Sequence, residues 1–192
     1  MKKGEYLDSI LRSRKSIFST ADIALLWQEQ SSAATRVRLH YYVKQNKLIR
    51  VRKGLYAKSV DYDKLELATR IFTPSYVSFE TVLATKGIIF QYSTQITVAS
   101  YLSRDATVRD QIYRYKKIKD VVLMNHLGVF QDGVTAIASK ERAVLDTLYN
   151  ANNYHFDNTR SLDWEKIFEL LPMYRNKSLT KRVQKLFQDE ST

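Results

Sequence analysis

Ala33-Ala34-Thr35-Arg36-Val37-Arg38-Leu39-His40-Tyr41-Tyr42-Val43-Lys44-Gln45, followed closely by Leu48-Ile49-Arg50-Val51-Arg52-Lys53-Gly54-Leu55-Tyr56-Ala57-Lys58, is the stretch that decides the fold. In its first half, Leu39, Tyr42 and Val43 fall on one side of a helix, with Thr35 one turn earlier. The other side collects Ala34, Val37, Arg38, Tyr41 and Lys44. Its second half alternates with period two, turns at Lys53-Gly54 and returns, which predicts a β-hairpin. Asn46 tolerates the left-handed conformation that ends a helix, and Gly54 supplies positive φ for the turn.

Charge singles out the same region. No acidic residue stands between Glu29 and Asp61, where there are eight basic ones: Arg36, Arg38, Lys44, Lys47, Arg50, Arg52, Lys53 and Lys58. The net charge of +11 is uneven. Residues 1–58 hold thirteen Lys/Arg against four Asp/Glu, and residues 59–192 hold eighteen against sixteen. A solvated basic surface would explain the cations alone. Their concentration on a helix and an adjoining hairpin points to a phosphate backbone.

Working outward, Tyr6, Leu7, Ile10 and Leu11 mark a first helix over residues 4–14. Ser19 or Thr20 caps a short second helix carrying Ile23, Leu26 and Trp27, and Ser31 or Ser32 caps the third. Three helices and a basic hairpin make a winged helix-turn-helix, and the composition changes near residue 60. The expected architecture is α+β: residues 1–60 a DNA-binding domain, residues 61–192 a mixed α/β domain with short antiparallel strands, its closing helices within 151–192.

In that second part Leu65, Ala68, Ile71 and Phe72 read as a fourth helix ended by Pro74. Ser78 is expected to cap a fifth over Phe79–Lys86. Gln95–Tyr101, Gln111–Lys116, Val121–Met124 and Val134–Ala138 read as strands. A largely apolar helix follows Ser139, and Trp164–Leu171 and Leu179–Phe187 close the chain.

An α-helix fits the major groove of B-form DNA, where base edges display distinct donors and acceptors. Arg38 is the expected base reader, because a guanidinium can bridge two acceptors on guanine. Lys44 suits a phosphate, Tyr41 a phosphate or sugar, and Arg36 either role. Ser32, at the helix start, joins these candidates. In the hairpin Arg50 and Arg52 are expected on one strand face, with Lys53 at the tip.

Signals for chemistry are weak. His40, His126 and His155 stand apart with no carboxylate at ligand spacing, so no metal site is expected. Five glycines form no phosphate-binding loop, and no cofactor is expected. Glu141 and Asp146 are badly spaced for an acid–base pair, and Ser139 is a cap before it is a nucleophile. Tyr101, Tyr113 and Tyr115 beside Arg114, Lys116 and Lys117 could stack single-stranded bases; a sheet core with hydroxyls at its rim is the plainer reading. With no cysteine, no secretory signal and no membrane-length apolar run, the chain reads as a cytoplasmic non-enzyme without a membrane partner.

Four segments in order resemble the AbiEi-type antitoxins, winged-helix regulators of bacterial type IV toxin–antitoxin systems. They are Phe18–Ala24, Leu48–Tyr56, Pro74–Leu83 and Ala138–Asp146. Asn46 stands where a glycine often precedes the wing. The resemblance implies a repressor that binds repeats in its own promoter as double-stranded DNA, with weak self-association there. It also implies a cognate nucleotidyltransferase-like toxin as partner, opposed without need of a stable complex. The alternative is a stand-alone regulator whose second domain binds a partner or dimerises.

Overall fold

The computed structural model describes residues 5–190. They form two compact units that divide between Ile71 and Phe72. The first contains α1 (Glu5–Arg12), β1 (Ile17–Ser19), α2 (Thr20–Leu26), α3 (Ser32–Lys44), β2 (Ile49–Arg52), β3 (Leu55–Ala57) and α4 (Lys64–Ile71). Ile10, Phe18, Ile23, Trp27, Leu39, Tyr42, Leu48 and Tyr56 meet in its core, so each predicted helix contributes its apolar face.

The hairpin is present, with a third strand added. β1 pairs antiparallel with β3, which makes β3 the centre of a three-stranded sheet in the order β1-β3-β2. Ile17–Ser19 had no strand signal in the sequence, because three residues are too few for alternation to show. The first unit also runs past the composition change near residue 60. Glu66 of α4 is buried and accepts from both the backbone N–H and the hydroxyl of Ser16, at 2.7 Å each. α4 is thereby held to the strand side of this unit.

The second unit is built on a six-stranded sheet in the order β6-β7-β5-β4-β9-β8. Its elements are β4 (Ser75–Val77), α5 (Glu80–Thr85), β5 (Ile96–Ser100), β6 (Arg104–Val108), β7 (Gln111–Lys117), α6 (Asp120–Leu123), β8 (Val129–Asp132), β9 (Thr135–Ala138), α7 (Lys140–Asn150), α8 (Trp164–Leu170), a 3-10 turn at Leu171–Tyr174, and α9 (Lys177–Glu190). The short strands are mixed in direction: β4–β9 and β5–β7 run parallel, the other pairs antiparallel. In α7 every residue from Glu141 to Leu148 is buried, which makes it the central helix of the unit.

Two local expectations are corrected here. Val121–Met124, expected as a strand, falls in and just after helix α6, with Val122 and Leu123 buried between the exposed Val121 and Met124. The carbonyls of Val122, Asn125 and Leu127 all accept from the Arg142 guanidinium, which satisfies the groups left open at a helix end. Ser78, expected to cap α5, donates its hydroxyl to Asp146 at 2.7 Å instead. Phe79 takes the boundary position with φ 56°, and the Thr97 hydroxyl accepts from the Thr81 N–H in place of a cap.

Candidate nucleic-acid interface

The interface candidates lie on α3 and the hairpin, which α2 helps to position. Ser19 and Asp22 form a capping box at the start of α2: Ser19 Oγ accepts from Asp22 N–H, and Asp22 accepts from Ser19 N–H. Burial opposes ionisation of Asp22. Hydrogen bonds from Lys15 and Ser19, with the Arg70 charge, outweigh it and hold the carboxyl down at about 2. Ser31 caps α3 by accepting from Ala34 N–H. Asn46 ends that segment with φ 54°, and Gly54 turns the hairpin with φ 80°. The carbonyl of Gly54 accepts from the backbone N–H of Thr20 at 3.0 Å, so the hairpin tip is tied to the start of α2.

Thr35, Leu39 and Tyr42 of α3 are buried as predicted. Ala33, Arg36, Val37, His40, Tyr41 and Lys44 are exposed on the opposite side. At 3.6 residues per turn they share an arc of about 140°, and that arc carries no acid. The side chain of Ser32 lies outside the described residues.

Arg38 is folded back toward its own unit. Its guanidinium lies 3.8 Å from the centre of the Tyr6 ring and 5.5 Å from that of Trp27, and it pairs with Glu29 at 3.1 Å. Only 29% of the side chain is exposed. A long cationic side chain at the edge of the helix has folded back onto aromatic faces and a carboxylate, which are better partners than water. Trp27 is fixed in turn by donating its indole N–H to the Tyr6 carbonyl at 2.7 Å. Arg38 thus joins α1, α2 and α3.

The hairpin is also altered. Arg50 stands opposite Tyr56 and Arg52 opposite Leu55, with an irregularity between them at Val51. Residues directly opposite share a face, so this bulge turns Arg50 and Arg52 to opposite faces, contrary to the simple alternation. Arg50 and Lys53 are exposed, and Arg52 is half-buried. Lys58 faces inward: its ammonium donates to the carbonyls of Leu11 and Ser13 and lies over the Phe18 ring. Tyr41 and Lys44 stay outward as read, and His40 shares their arc.

Residues 5–57 match the family described as a transcriptional regulator, AbiEi antitoxin. The match supports an AbiEi-type antitoxin regulator. It begins at α1 and ends at the last residue of β3, so the matched segment is the helix-turn-helix with its hairpin. Comparison with curated proteins gave no match.

Beyond the matched segment, the tyrosines take their plainer reading. Tyr113 and Tyr115 are buried, and only Tyr101 is exposed. Arg114 pairs with Asp105 and Lys116 with Glu80, which leaves Lys117 exposed beside two buried rings. Asp146 is enclosed by Tyr76, Ser78, Tyr174 and Arg142, and Glu141 accepts from the Asp163 N–H. Burial pushes the Asp146 carboxyl up against the opposing pull of Arg142 and the three hydroxyls. Among the described residues no cluster of His, Asp and Glu is placed to hold a metal ion, and no helix is long and apolar enough to cross a membrane.

Proposed function

We propose that this protein is a DNA-binding repressor that acts as the antitoxin of a type IV toxin–antitoxin system. It represses its own promoter and opposes a nucleotidyltransferase-like toxin. The observation that carries the DNA-binding half is the outward arc of α3, whose exposed residues include Arg36, His40 and Lys44 and no Asp or Glu. A rod of this width with cations at its rim suits a major groove flanked by phosphates. Arg50 and Lys53 extend the positive surface along the hairpin, whose tip is fixed to α2 through Gly54.

Within this reading Arg36 and Lys44 contact the duplex directly, with Tyr41 against sugar or phosphate. Arg38 is a positioning residue that sets the angle of α3 on α1 and α2. Arg50 and Lys53 hold backbone phosphates, and Arg52 supports the wing from its other face. Fluorescence anisotropy of the full chain with a duplex from its own promoter tests the proposal. Binding should exceed that to a random duplex of equal length and weaken steeply with added salt. Equal affinity for both duplexes at moderate salt would remove the repressor.

A second reading, a stand-alone regulator whose second unit binds a partner, is favoured by one observation: the family match stops at Ala57, before that unit begins. Co-expression with the neighbouring gene separates the two. Rescue of growth from a toxic product supports the antitoxin, and indifference supports the stand-alone regulator.

A further inference from the structure

The outward arc of α3 holds more than cations. Ala33, Val37 and Tyr41 are spaced four apart and form a non-charged stripe about 12 Å long. Arg36, His40 and Lys44 form a second stripe beside it with the same spacing. Val37 is 72% exposed and Tyr41 49% exposed. The stripes interleave, so Val37 has cations at its flank rather than a continuous apolar neighbourhood.

Neither solvation nor helix formation accounts for Val37. A β-branched side chain restricts its own rotamers in a helix and forms helix less well than Ala, Lys or Glu. Phosphate binding does not account for it either, since an isopropyl group offers no donor. The floor of the major groove does present a small apolar group, the 5-methyl of thymine, at known positions among polar base edges. α3 therefore presents an exposed branched hydrocarbon on a groove-sized helix, with cations flanking it at phosphate-reaching length.

We propose that Val37 is a specificity-determining residue that reads a thymine 5-methyl group, with Ala33 leaving room for the base beside it. The inference rests on the DNA-binding reading above and deepens it by naming the base chemistry that the helix selects. Val37 sits in the first half of α3, the end whose residues contact base edges when such a helix enters the groove. Arg36, one residue before it, is exposed on the same arc and supplies the polar contact to a neighbouring base or phosphate.

The test uses the full chain and duplexes enriched by it from a random-sequence pool. In the enriched duplex each thymine is replaced in turn by deoxyuridine, which keeps every donor and acceptor and removes only the methyl. Wild-type protein should lose roughly four-fold in affinity at one or two positions, the value of one buried methyl. Val37→Ala should bind the thymine and uracil duplexes alike at one of those positions and keep the wild-type melting temperature. Val37→Ser, which removes both methyls and places a hydroxyl at an exposed site, should lose the same discrimination. Uracil that is silent everywhere, or a methyl penalty that survives in both variants, overturns the role of Val37 while the enriched duplex still upholds DNA reading. A pool that yields no preferred sequence overturns both.

Discussion

Arg142 and Asp146, one turn apart on α7, form an ion pair at 3.3 Å with neither side chain exposed to solvent. Arg142 also donates to the Tyr76 hydroxyl and to three carbonyls around α6, and Asp146 accepts from Tyr76, Ser78 and Tyr174. Each charge is desolvated and depends on the other. Asp146→Ala leaves a buried guanidinium without its counter-charge and should destabilise the second unit by about 3–5 kcal/mol. Chemical denaturation of the variant against wild type measures this, and a loss below 1 kcal/mol would show the network to be dispensable.

The aromatic seat of Arg38 leads to a different prediction from a base contact. Arg38→Ala removes the packing on Tyr6 and Trp27 and leaves Glu29 without its cation. Stability of the first unit should fall by about 1–2 kcal/mol. Binding to preferred and random duplexes should weaken by a similar factor. Thermal melting and anisotropy together decide it: an unchanged melting temperature with loss confined to the preferred duplex would return Arg38 to the bases.

Asp22 gives the first unit a pH dependence in the acid range. Its carboxyl is held at about 2 in the folded chain, below the ordinary 3.8. A carboxyl depressed on folding adds stability while it is ionised in both states, above pH 3.8, and loses that contribution as pH falls toward 2. Asp22→Asn should therefore cost about 1–2 kcal/mol near neutral pH and flatten the decline between pH 4 and 2. Melting curves over that window check the sign.

Arg50 and Lys53 belong to the wing and should act through charge alone. Arg50→Ala and Lys53→Ala should each lower affinity for all duplexes and reduce the slope of log affinity against log salt by about one. A salt titration of each variant measures that slope, and an unchanged slope would place the residue away from phosphate.

The family segment ends at Ala57, yet Glu66 of α4 is anchored on Ser16. A fragment ending at residue 57 should melt below one ending at residue 71, and Glu66→Ala in the full chain should lower the melting transition of the first unit. The buried carboxylate bonds two donors at once, and losing it strands both. Equal melting of the two fragments would make α4 an appendage.

What the sequence determined by itself was local. The apolar spacing of α1 to α4 and α7 to α9, a hydroxyl cap at Ser19 or Thr20, at Ser31 or Ser32 and at Ser139, the left-handed Asn46 and the turning Gly54 all depend on neighbours within a few residues. The basic block was legible for the same reason, since charge is counted without coordinates. Tertiary structure alone decided which strands exist and where long side chains point. β1 forms because β3 lies beside it, and β4, β6 and β8 were hidden for want of length or alternation. Arg38 looked outward by its helical angle, but Tyr6, Trp27 and Glu29 lie close enough to draw it back. The Val51 bulge parted Arg50 from Arg52, and Arg142, one basic residue in an apolar helix, became the hub of a core. Helix periodicity and capping are written in consecutive residues; pairing and burial of charge depend on partners that only the folded chain brings near.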